Sequence, residues 1–162
     1  MSQELSRFGV GPKILLTAAA YAVIAGAVTW LWPEACRISA IPHWLSLALG
    51  IALIAIGVPM LLLAVRTGMA AYNCDKLATT GLFGIVRNPM YAAWIVFIIP
   101  GVVLLTRSWP LFLTPLVAYL MFKLLIRREN EYLEKRFGEA YRRYRAEVNE
   151  LCPLPRIRGR SA

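Results

Sequence analysis

Apolar residues gather in four runs along the chain, and charge resumes after each. Ile14–Trp32 and Trp44–Val65 each hold roughly twenty residues without a charged side chain. A helix of that length crosses a hydrocarbon core of about 30 Å at about 1.5 Å per residue. Met90–Thr106 and Trp109–Ile126 are shorter, share a single charge (Lys123), and are separated only by Arg107 and Ser108. These two predict a tight helical hairpin. Beyond Ile126 the pattern changes: Leu133, Phe137, Tyr141, Tyr144, Val148 and Leu151 recur at spacings of three and four among charges, and Gly138 divides the stripe. The expected architecture is an all-α polytopic membrane protein. It has four transmembrane helices, the last two paired as a hairpin, followed by cytoplasmic amphipathic C-terminal helices.

Composition supports a membrane setting. The chain is 59% hydrophobic, above the usual share for soluble domains, and its 162 residues suit one domain over 1–162. Residues 1–66 form a two-helix scaffold. The first run is too long for a removed signal peptide and lacks a small-residue cleavage site at its end. Basic residues set the orientation. Arg7, Lys13, Arg66, Lys76, Arg87 and ten further Lys or Arg from Arg127 onward fall on one side of a four-span chain, against Arg37 and Arg107 on the other. Both termini and the middle loop are therefore expected in the cytoplasm of a bacterial or archaeal inner membrane. Trp30, Trp32, Trp44 and Trp109 fall together at the opposite interface, as an aromatic belt does. The net charge of +9 resides mainly in the tail and suits anionic membrane lipids. Nucleic-acid modules are absent from the sequence, and no cysteine or histidine spacing implies a metal site or disulfide framework. Few ionisable groups enter the apolar runs, which argues against an ion path.

The middle loop carries more chemistry than a connector needs. Thr79–Tyr91, "TTGLFGIVRNPMY", packs two glycines, an arginine, an asparagine, a proline and aromatic rings between two apolar runs. Together with "RRENEYLEKRFGEAYRRY" and the terminal "CPLP", it resembles the isoprenylcysteine carboxyl methyltransferase and phospholipid methyltransferase group of integral membrane enzymes. The resemblance covers about residues 75–155 and rests on the ordered set Gly81, Arg87-Asn-Pro-x-Tyr91, Glu129, Tyr132-Leu133, Phe137-Gly138 and Tyr141.

That resemblance implies an S-adenosylmethionine-dependent methyltransferase, with residues 67–155 as its cofactor-binding and catalytic region. The acceptor is a small lipophilic carboxylate, amine or thiol met at the cytoplasmic face. Asp75, Lys76, Leu77, Ala78, Phe83, Asn88, Pro89, Met90, Tyr91 and Glu129 are the candidate cofactor-binding residues; Arg127, Arg128 and Tyr91 are the candidate catalytic ones. Residue chemistry agrees. Glu129 suits the cofactor's ammonium through a charge-assisted hydrogen bond. Asn88 and the following helix start suit its carboxylate. Phe83 and Tyr91 offer ring faces to the sulfonium or adenine. Three positions depart from the prenylcysteine branch: Asn88 stands for its histidine, Asn130 for the second acid of its Glu-Glu pair, and Leu125 for an arginine. Asn130 and Leu125 motivate the alternative of a catalytically inactive membrane interaction or regulatory protein on the same scaffold.

Overall fold

The computed structural model describes residues 10–152. Arg7 and the last three residues of the CPLP motif lie outside the described residues. Among the described residues the chain is helical, with no strand. The first apolar run forms α1 (Gly11–Leu31), which has Pro12 in its first turn, where a missing N–H costs nothing. Pro33 then opens a single turn, α2 (Pro33–Cys36). The second run forms α3 (His43–Asn73), a 31-residue helix that continues through Pro59. It extends two turns past Val65, where the apolar run stops. The middle loop therefore starts at Cys74, later than the expected Arg66: charge ends the apolar run, but Met69, Ala70 and Ala71 keep the helix going.

After the short α4 (Leu82–Ile85), the third run is a continuous rod, Pro89–Thr106. It consists of α5 (Pro89–Ala92), a π-helical stretch (Ala93–Ile98) and α6 (Ile99–Thr106). Pro100 and Gly101 fall at the start of α6. Pro100 removes one backbone donor just after the widened turns. Gly101 meets Gly50 of α3 so closely that a Cβ on Gly50 would sit 2.9 Å from the Gly101 carbonyl oxygen. Small residues allow this backbone approach where apolar driving force between helices is weak. Arg107 ends the rod in the left-handed region, and its guanidinium donates to the Ile38 and Ile41 carbonyls at 2.9 and 2.7 Å. Arg107 is a clamp on the short loop at that end of the bundle.

Three helices, Gly11–Leu31, His43–Asn73 and Pro89–Thr106, are long and apolar enough to cross a membrane. The fourth apolar run differs from the separate span expected. It forms a 3-10 turn (Leu111–Leu113) and then the first half of α7 (Thr114–Phe137), which runs unbroken into the charged tail. Its apolar half packs Ala118, Phe122 and Ile126 against Val10, just before the first helix, Ile14 and Ala18 within it, and Tyr91 and Ile95 of the third. Gly138, at φ +54°, turns the chain into α8 (Glu139–Glu147), the break its sequence position suggested. Leu16, Val23 and Ile24 on α1 and Ile51, Ile56 and Leu62 on α3 point outward and are exposed, as lipid-facing residues would be.

Candidate functional site

At the end of the bundle opposite the tryptophans, the middle loop, the last turns of α3 and the charged half of α7 surround a cavity of about 180 Å³. Local rules explain how the loop reaches it. Gly81 adopts φ +61°, a conformation that side chains resist, and α4 follows directly. Phe83 of α4 is buried beneath α8, where Tyr144 donates its hydroxyl to the Phe83 carbonyl at 2.7 Å. Asn88-Pro89 then starts the third long helix, with Asn88 at the cap position and Pro89 in the first turn.

Nine of the candidate residues line this cavity: Asp75, Lys76, Leu77, Ala78, Phe83, Asn88, Met90, Tyr91 and Glu129. Pro89 is fully buried behind the wall and is not among the lining residues. Arg127 and Arg128 are exposed and also lie off the lining. The reason is helical phase. Glu129, Tyr132, Leu133, Arg136 and Phe137 fall at i, i+3, i+4, i+7 and i+8 and share the cavity-facing stripe of α7, whereas residues one and two before Glu129 point away. Reading that stripe outward from Glu129 finds Tyr132 and Arg136, which motif residues alone leave unassigned.

Glu129 is the pivot. Its Oε2 accepts the Tyr91 hydroxyl at 2.8 Å and the Val10 N–H, just before α1, at 3.3 Å. Burial holds its carboxyl above the usual carboxylate range; the two hydrogen bonds pull the other way but only in part. Across the opening, Arg136 of α7 pairs with Asp75, also donates to the Tyr132 hydroxyl at 2.8 Å, and stacks near Tyr72 and Phe137. Asp75 sits at φ +52° to make this turn.

The departures at 125 and 130 also acquire positions. Asn130 is buried off the cavity lining and accepts the Tyr141 hydroxyl at 2.5 Å, tying α8 to α7. A carboxylate there would be charged and buried, so an amide is the better tether. Leu125 packs on the α1–α7 core.

A second cavity of about 250 Å³ adjoins the first. Its wall comes from α1, α3 and the third long helix, including Gly11, Ala18, Leu61, Trp94 and Ile95, and is almost entirely apolar. Val65, Met90 and Tyr91 line both spaces. Tyr91 is thus a shared wall, and Gly11 lies beside its ring.

With this geometry in view, comparison with protein families gives one result. The phospholipid methyltransferase model matches residues 45–140, from the start of α3 to the start of α8. The chain belongs to the phospholipid methyltransferase family. Neither curated proteins nor solved structures yielded a match. Membership implies methyltransferase activity, and with the three apolar helices it makes this a multi-pass membrane methyltransferase. The matched region contains nearly all of the main cavity's wall and excludes α1, so the apolar second cavity combines family helices with one element outside the match. Among the described residues no cluster of His, Cys, Asp and Glu is placed to hold a metal ion.

Proposed function

We propose that this family member transfers a methyl group from S-adenosylmethionine to a small lipophilic acceptor at the cytoplasmic membrane face. The observation that carries the reading is the pair of adjoining cavities, one polar-rimmed and one apolar, with Tyr91 lining both and bonded to Glu129 of the first.

The residues present fit the cofactor. An alkyl sulfonium with an amino-acid tail and an adenine needs a carboxylate for its ammonium, donors for its carboxylate and flat apolar walls. Glu129 supplies the first, the Asn88 amide and the start of the third long helix the second, and Phe83, Tyr132 and Phe137 the third. When bound, the cofactor brings an electrophilic methyl carbon on a positively charged sulfur.

The chain's own work is placement. An in-line displacement needs nucleophile, carbon and leaving sulfur aligned, and positioning of this kind supplies up to several kcal/mol of the barrier reduction. In this reading the apolar cavity holds the acceptor's hydrocarbon portion and presents its reactive atom at Tyr91, which lines both spaces. Tyr91 therefore orients the acceptor rather than exchanging covalent bonds with it, and its bond to Glu129 holds the ring in place. Mostly apolar walls keep water from competing for the methyl group.

Transfer of radiolabelled methyl from S-adenosylmethionine to a panel of aminophospholipid, prenylcysteine and lipophilic thiol acceptors tests the function. Label in one lipid-extractable product supports it; none with any acceptor, from protein that also fails to bind S-adenosylhomocysteine, rejects it.

A further inference from the structure

The tail does not end at α8. After Val148 it runs alongside the loop in a short parallel bridge between Val86 and Asn149. The Arg87 N–H donates to the Asn149 carbonyl at 2.7 Å, and the Asn88 N–H donates to the Glu150 carbonyl at 3.1 Å. The Asn88 side-chain amide reaches the same Glu150 carbonyl at 3.5 Å. Glu150 completes the contact with its side chain: one oxygen meets the Arg87 guanidinium at 3.2 Å, and the other pairs with Lys123 of α7. Residues 149–150 thus strap the loop to α7 at the point where the main cavity's wall turns into the third long helix.

We propose that Glu150 is a positioning residue for the cofactor site, acting through Arg87 and Asn88 and never touching the ligand itself. The inference rests on the cofactor reading given above. Three observations carry it. First, Glu150 is not part of the cavity lining, while both residues it holds are. Second, the Arg87 guanidinium is almost fully buried and Glu150 only partly so, which makes Glu150 a countercharge for a cation buried in the cavity wall. Third, the Asn88 amide nitrogen reaches the Glu150 main-chain carbonyl with one of its two N–H groups, which leaves the other for a ligand carboxylate. Replacing the carboxylate leaves both main-chain bonds possible but removes one countercharge of Arg87 and so changes how its guanidinium is held in the wall. The strap therefore sets where the loop's donors point.

Purified full-length protein provides the test, with Glu150→Gln, Arg87→Gln and the double variant compared with wild type, and Glu139→Gln as an exposed-pair control. Two readouts are used: S-adenosylhomocysteine affinity by calorimetry well below each melting temperature, and amide hydrogen exchange across Val86–Tyr91. Glu150→Gln is expected to weaken binding about tenfold or more and to speed exchange at Arg87 and Asn88. The double variant should bind no worse than Arg87→Gln alone, because both changes remove one linkage. The control should match wild type in both readouts. Wild-type affinity and exchange in Glu150→Gln, or strictly additive losses in the double variant, would overturn the proposal. Should wild-type protein bind no S-adenosylhomocysteine, the cofactor reading fails, and unchanged loop exchange in Glu150→Gln would then sink the strap as well.

Discussion

Exchanging Glu129 for glutamine removes one charge and almost nothing else. The amide has nearly the same shape, still accepts the Tyr91 hydroxyl and still faces the Val10 N–H. What disappears is the carboxylate proposed to meet the cofactor's ammonium. A hydrogen bond to a charged group contributes about 1.5–3 kcal/mol, so the dissociation constant of S-adenosylhomocysteine should rise between about tenfold and a hundredfold or more. Stability should move in the opposite sense. Burial raises the Glu129 carboxyl above its unfolded value, so the folded chain holds that proton more tightly than the unfolded chain does. The stability this group contributes is fully present below the unfolded pKa and is lost as pH rises through the folded one. At neutral pH, therefore, the wild-type carboxylate opposes folding, and glutamine relieves that. Calorimetry and a thermal melt on the same preparation check both halves: Glu129→Gln should bind weakly yet melt no lower than wild type. The pH profile adds a sign. Wild-type affinity should fall as acidification protonates Glu129, from a pH above the range of an exposed carboxylate, and the variant should show no such fall. Wild-type affinity in Glu129→Gln, or weak binding that merely follows a lower melting temperature, would refute the reasoning.

Three further outcomes follow from the same geometry. Leu61→Phe adds bulk to the wall of the apolar cavity and should raise KM for a lipophilic acceptor in the labelled-methyl assay while S-adenosylhomocysteine affinity stays as in wild type. Asn130→Ala strands the buried Tyr141 hydroxyl and should cost about 1–3 kcal/mol of stability, read by thermal or denaturant unfolding. Arg127→Ala and Arg128→Ala alter exposed side chains off the cavity and should leave S-adenosylhomocysteine affinity within twofold or so of wild type.

Much of this layout is legible in the sequence because lipid imposes simple rules. Three charge-free runs became three long helices, and a loop dense in Gly, Asn, Pro and aromatic residues became the wall of a cavity. The misplaced element boundaries share one cause: hydropathy records environment rather than backbone continuity. α3 passes the end of its apolar run, and α7 joins an apolar half to a charged half without a break. Arg127 and Arg128 are candidates to replace the arginine whose place Leu125 takes, but helical phase turns them away from the cavity. Asn130 resembles a missing acid until its depth and its Tyr141 partner are seen. The strap from Asn149 to Glu150 left no local signal, since two residues pairing with a loop over sixty positions earlier form no period.

A structure of the chain with S-adenosylhomocysteine bound tests the central claim most directly. The amino group should lie within hydrogen-bond distance of the Glu129 carboxylate, the ligand carboxylate beside Asn88, and the sulfur directed toward Tyr91 and the apolar cavity. A ligand seated elsewhere, with Glu129 still engaged only by Tyr91 and Val10, would contradict the account.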